Sequence, residues 1–263
     1  MLNSWAELSS IGATIREMRC HNNLPPYSAQ LEKNLSVWFS TKTCCTASGE
    51  RQNLDPVTQS ELPFCLRPLW HHTFMCLTTD LNLLELAVGR EGSNVAASKL
   101  AGIKAWITSP ECMRCLLHAV CLQNLVTANR VDSVIAIYTS RILFAAALCW
   151  YCFMLYSPWC AASSSSMGSN DALSPNETIA YLRTLPEVRL LLQRDEHDEP
   201  TTGQRFVERA LSDLRHILRA NPAEMKASTL CILEATLRQL RTSGISQQFA
   251  DLVQAFIMDA TQG

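Results

Sequence analysis

Apolar residues recur at helical spacing along most of the 263-residue chain. The pattern is sharpest in the C-terminal third. There Phe206, Ala210, Leu214 and Ile217 form one face with Val207, Leu211 and Leu218 beside it, while Glu208, Arg209, Ser212, Asp213 and Arg219 take the other faces. Leu230, Leu233, Leu237 and Leu240 repeat the spacing until Gly244, and Phe249, Leu252, Val253, Phe256, Ile257 and Ala260 carry it almost to the end. Ser174-Pro175-Asn176-Glu177 is a capping-box pattern, and Asn221-Pro222-Ala223-Glu224 opens the next helix by the same logic. No stretch joins period-two alternation to hairpin punctuation, so the predicted fold class is all-α, a multi-helix globular domain.

The N-terminal part follows the same logic with more interruptions. Two helical patterns within 1–39 are broken at Asn23-Leu24-Pro25-Pro26-Tyr27, because a proline pair cannot sit inside a helix. Residues 40–63 show no apolar period and are expected to form a loop. Residues 69–88 are predicted as one strongly apolar helix, stopped by Gly89-Arg90-Glu91-Gly92. A shorter helix follows over 93–108. Ser109-Pro110 then starts another, with Ser109 as N-cap and Pro110 at the first helical position, running to about residue 128. A further helix over 131–156 ends at Ser157-Pro158, and 161–171 is a Ser-rich connector. The expected organisation is therefore a domain over 1–160, the connector 161–171, and amphipathic helices over 172–263 packed on the same domain.

Composition sharpens this picture. Charged residues make up only 17% of the chain, against about 25% in ordinary soluble proteins. So lean a charge content points to extensive buried helix surface, or to a partner or membrane that covers some of it. The formal net charge is −2 and no run of Lys or Arg occurs. The basic stripe by which proteins grip nucleic acid is missing, so no direct nucleic-acid binding is expected. Twelve cysteines raise disulfide and zinc alternatives. The N-terminal residues lack the basic start and apolar run of a signal peptide, so reduced thiols are expected. Cys121, Cys149, Cys152 and Cys231 lie in apolar helical surroundings and are predicted as small buried hydrophobes.

Several constellations could carry chemistry. CxxC occurs at Cys112/Cys115 and at Cys149/Cys152. Both pairs fall inside predicted helices, which favours core packing over a tetrahedral metal site. His71-His72 is expected on a helix surface, and His118, sharing a face with Arg114 and Glu111, is expected to be exposed or to meet a partner. Asp195-Glu196-His197-Asp198-Glu199 is the densest acidic cluster, but Pro200 follows and no helical face organises it, so a solvated loop is favoured. No Walker loop, nucleophile elbow, HExxH or GxGxxG is present. No residue is therefore assigned a catalytic, cofactor-binding or metal-binding role. The segment 142–162 carries no charge and nearly reaches transmembrane length. Ser157-Pro158 shortens its helix, no Lys or Arg cluster flanks it, and a central helix of a large domain is apolar all round for the same burial reason.

A series of phrases in fixed order resembles a known family. Trp70-His71-His72-Thr73-Phe74-Met75-Cys76-Leu77 leads into Asp80-Leu81-Asn82-Leu83-Leu84-Glu85-Leu86-Ala87 and Gly89-Arg90-Glu91-Gly92. Ala105-Trp106 with Ser109, Arg114-Cys115-Leu116-Leu117-His118-Ala119, Arg141-Ile142-Leu143-Phe144 and Trp150-Tyr151-Cys152 follow. This series is similar to the fungal-specific transcription factor domain, also called the xylanolytic transcriptional activator regulatory domain, most clearly over 66–156. The resemblance implies a helical, non-catalytic regulatory domain in a nuclear regulator of RNA polymerase II genes, normally C-terminal to a zinc-dependent DNA-binding module. Neither a six-cysteine cluster nor two-cysteine two-histidine fingers occur in this chain, so zinc is expected only in that separate module. Expected partners are proteins of the transcription machinery, the DNA-binding module itself, or a second copy. The competing expectations are a single-pass membrane protein anchored by 142–162 and an all-α enzyme without a legible motif.

Overall fold

A computed structural model describes residues 2–21, 23–44, 66–128, 138–157, 174–192, 202–220, 222–240 and 244–262. The fold is all-α, with twelve α-helices and no strand among the described residues. The helices are α1 (Leu2–Cys20), α2 (Ser28–Cys44), α3 (Leu66–Thr78), α4 (Leu81–Ala87), α5 (Ser93–Ile107), α6 (Pro110–Ala128), α7 (Tyr138–Tyr156), α8 (Pro175–Thr184), α9 (Pro186–Leu192), α10 (Thr202–Arg219), α11 (Pro222–Gln239) and α12 (Gly244–Gln262).

Local signals set most boundaries. Pro25–Tyr27 form a short 3-10 turn between α1 and α2. Ser174 caps α8 by a complete capping box: its hydroxyl accepts from the Glu177 amide, and the Glu177 carboxylate accepts from the Ser174 amide at 2.7 Å. Gly89 and Gly92 take φ values of 97° and 93°, a left-handed conformation that glycine enters without a Cβ clash, and they turn the chain from α4 into α5.

Two corrections to the sequence expectations come from such signals. The apolar run 69–88 is not one helix. Asp80 adopts an extended conformation and accepts hydrogen bonds from the amides of Asn82 and Leu83, ending α3 and starting α4. Ser109 does not cap α6 with its side chain; its hydroxyl donates back to the Trp106 carbonyl at 2.7 Å. In addition, α2 continues to Cys44, into the segment expected to be a loop. The Ser-rich connector, the acidic cluster 195–199 and the Asn221 cap lie outside the described residues.

α7 is the centre of the molecule. Every residue from Ile142 to Met154 is buried, and α3, α4, α5, α6, α11 and α12 pack around the helix. It is long and apolar enough to cross a membrane, yet 83% of its most apolar 18-residue window is covered by other helices of the same chain. Aromatic stacking marks its seam with α12. Phe144 stacks on Phe249 and Tyr151 on Phe256, with centroids 4.6 and 4.2 Å apart.

The C-terminal helices share this core. Val207, Ala210, Leu211, Leu214 and Leu218 of α10 are buried, with α6 and α8 against that helix. Leu230, Leu233, Leu237 and Leu240 are buried as their spacing predicts, whereas Leu252 and Cys231 face solvent, against expectation. A second core joins α1, α2 and α3 through Leu8, Ile15, Leu35, Trp38, Trp70 and Phe74. α3 stands between the two cores and offers a different face to each, with Met75 turned to the larger one.

Candidate functional site

Two polar centres flank α3. The first is closed. Arg114 of α6 is 6% exposed and donates two hydrogen bonds to Glu187 of α9, from Nε to Oε1 at 2.6 Å and from Nη2 to Oε2 at 2.9 Å. Its remaining terminal nitrogen, Nη1, donates to Glu32 Oε1 of α2 at 2.6 Å. Such a fork matches a carboxylate edge, which is the geometry arginine supplies and lysine cannot. Burial favours the neutral acid at Glu187, but the neighbouring His118 and the charge and hydrogen bonds of Arg114 outweigh it and hold the carboxyl at about 2. His118 Nε2 is 3.6 Å from Glu187 Oε1, beyond hydrogen-bond length, so Arg114 is the stronger partner.

Two histidines continue this centre. His71 Nδ1 lies 2.9 Å from His118 Nδ1, so one ring donates and the other accepts. His118 Nε2 faces the Glu187 carboxylate, whose charge favours the tautomer with the proton on Nε2 and Nδ1 as the acceptor. Burial lowers the pKa of both rings, and His118 lowers that of His71 further. Both are neutral at pH 7. The Phe74 ring stacks on His118 with centroids 4.7 Å apart, and the Arg114 guanidinium lies over the Phe74 ring, 5.4 Å from its centroid. His71 and His118 are 4% and 2% exposed, which corrects the expectation that they lie on helix surfaces. Their partners come from distant helices. Packed in this way, the centre ties α2, α3, α6 and α9 together.

The two CxxC pairs also meet. Cys115 of α6 and Cys149 of α7 place their sulfur atoms 3.6 Å apart, and Cys112 and Cys152 are buried beside them. Burial pushes the Cys112, Cys149 and Cys152 thiols up, so they pack as small apolar side chains, as their spacing within helices predicts.

The second polar centre is open. A cavity of about 690 Å³ lies between α1, α3, α4 and the start of α7, within the range of roughly 300–1,000 Å³ common for small-molecule sites. Four arginines line it: Arg16 and Arg19 from α1, Arg90 from the turn after α4, and Arg141 from α7. Two carboxylates accompany them, Asp80 and Glu85. Asp80 is committed to capping α4. Glu85 accepts from Arg90 Nη1 at 2.6 Å and also pairs with Arg141. Arg19 Nη2 donates to the carbonyls of Cys76 and Leu77 at the end of α3, at 2.8 and 3.0 Å, and burial lowers its pKa. Arg16 is exposed and makes no hydrogen bond or ion pair among the described residues.

The cavity also holds a thiol and an imidazole. Cys76 Sγ is 3.7 Å from His72 Nε2, a juxtaposition that resembles a nucleophile and base. The protonation states argue otherwise. Burial pushes the Cys76 thiol up to about 12 and holds the His72 imidazole at about 4, so both are neutral at pH 7. A thiolate is the reactive species, and this environment opposes it. His72 lines the cavity wall instead of the helix surface expected for it.

None of these four arginines stands out as a site residue in the sequence. Arg16 and Arg19 carry a weak signal, being three residues apart and so on one helix face. Arg90 and Arg141 fall within phrases that carry the family resemblance, as do Asp80 and Glu85. Compared with known proteins, the chain matches no protein-family model, no curated protein and no solved structure.

Proposed function

We propose that this chain is a regulatory, non-catalytic helical domain of a fungal RNA polymerase II transcription regulator, acting in the nucleus through protein contacts. The observation that carries this reading is the ordered series of phrases from Trp70 to Cys152 that resembles the fungal-specific transcription factor domain. Those phrases supply the residues on which the fold depends. Trp70 and Trp150 are fully buried, Trp106 Nε1 donates to the Thr78 carbonyl, and Arg114 and His118 form the closed polar centre. The chemistry of the interior is consistent with a scaffold. Its buried charges are paired with each other, and the Cys76–His72 contact is held in its unreactive form. Zinc and DNA contact belong to a separate module in this reading.

The test is a tethering experiment. The full chain is fused to a DNA-binding module of known specificity and expressed in a fungal cell with a matching reporter. Reporter output different from that of the module alone supports the reading. Output identical to the module alone, or recovery of the unfused chain only in detergent-extracted membranes, overturns it.

A further inference from the structure

From the arginine-lined cavity we infer that the chain binds a small organic acid there, a carboxylate carried on an apolar body, held by Arg16 and Arg19 against the end of α3. The inference rests on the regulatory reading only for its purpose, since in a transcription regulator such an anion would be an effector. The binding itself is a property of the cavity.

The charge of the cavity selects an anion. Four guanidinium groups face two carboxylates in a chain whose net charge is −2, so positive charge is concentrated where the protein as a whole is slightly acidic. The pairs already made sharpen this. Glu85 takes up Arg90 and Arg141, and Asp80 is turned to the α4 amides. Arg16 has no partner among the described residues, and Arg19 meets only carbonyl dipoles by hydrogen bonds. Arg19 is half-buried and feels the Asp80 charge, but no carboxylate is hydrogen-bonded to it, so an incoming anion can pair with it directly.

The rest of the lining selects an apolar body. Leu8, Gly12, Leu69 and Leu81 face the cavity with the neutral His72 and Cys76. Guanidinium groups bind phosphate as well as carboxylate, but phosphate sites commonly add free backbone amides, most often at a helix N-terminus. Here the nearest such amides, of Asn82 and Leu83, are occupied by Asp80. Gly12 has space above it, since a Cβ placed there would come no closer than 3.9 Å to Thr73, so a bulky side chain at this position would extend into the cavity.

The experiment uses the full chain with three probes, phenylacetate, its neutral isostere phenylacetamide, and inorganic phosphate, followed by calorimetry and thermal melting. Phenylacetate is expected to bind one site saturably and raise the melting temperature, with the amide at least about tenfold weaker, the scale of one charge-assisted hydrogen bond. Arg16→Gln should leave the melting temperature of the free protein unchanged and weaken phenylacetate by about tenfold or more. Gly12→Phe, which fills the cavity, should abolish binding. Equal binding of the amide overturns anion recognition, and phosphate binding as tightly as phenylacetate overturns the apolar body. Undiminished binding to Arg16→Gln, or no saturable binding of phenylacetate to the wild-type chain, overturns the site. None of these outcomes depends on the reporter experiment, so failure of one leaves the other standing.

Discussion

Arg114 and Arg16 stand on opposite sides of the same helix, α3, and do opposite things. Arg114 is 6% exposed, with its guanidinium divided between Glu187 and Glu32. Arg16 faces an open cavity with no partner among the described residues. Adjacent residues of α3 follow the same split, with His71 turned to the closed centre and His72 to the cavity. A buried charge that is fully paired holds helices in place and has nothing left to offer a ligand. An unpaired charge beside an empty space costs the fold little and is available for binding. Residue type therefore says less about function here than where the counter-charge comes from.

Breaking the closed side should have the largest effect. Glu187→Leu leaves Arg114 buried with only the part-exposed Glu32, and should cost about 3–5 kcal/mol in urea unfolding. The double variant Arg114→Met/Glu187→Leu removes both charges and should recover much of that loss. A single variant as stable as the wild type would show that the pair contributes nothing.

Acid should act on both sides, through His71 and His118 in the closed centre and through His72, held at about 4, in the cavity wall. Folding holds the pKa of His71 and His118 below the ordinary 6.5, so below that value the unfolded chain binds protons that the folded chain does not. Stability then falls as pH drops below 6.5, by up to about 1.4 kcal/mol per pH unit for each ring. Glu187 works lower down. Its contribution is present above the ordinary carboxyl value of 4.5 and is lost as pH falls from there to about 2. Urea midpoints at pH 7.5, 5.5 and 4 check this; a flat profile from 7.5 to 5.5 would contradict neutral, buried imidazoles.

Substitutions of charged groups on the open side should cost the fold far less. Glu85→Gln releases Arg90 and Arg141, which are 43% and 50% exposed and can be hydrated. Stability should change by about 1 kcal/mol or less, while phenylacetate binding tightens because two guanidinium groups are freed. Calorimetry showing weaker binding would contradict the charge argument. Smallest of all, Arg16→Gln should alter stability by no more than about 0.5 kcal/mol.

The legible parts of the molecule are those set within a few residues. Ser174 and Glu177 sit three apart and cap α8 as their pattern predicts, and Pro25-Pro26 separates α1 from α2. The apolar faces of α10 and α11 and the burial of α7 follow from spacing and composition alone. What was not legible depends on distant partners. Arg114 and His118 look like a polar helix face until Glu187, far along the chain, closes over them. The cavity draws on α1, α4 and α7, and no local pattern announces such a convergence. The break at Asp80 was hidden for another reason. Apolar residues continue on both sides of it, so periodicity hid a cap that only the backbone conformation reveals.

The contrast between the two centres is tested most directly by thermal melting of the wild-type chain and Arg16→Gln, each with and without phenylacetate. The predicted result is equal melting temperatures without ligand and a ligand-induced rise in the wild type that the variant largely loses. A variant that keeps the full rise, or that melts well below the wild type before any ligand is added, would contradict the assignment of Arg16 to binding and not to the fold.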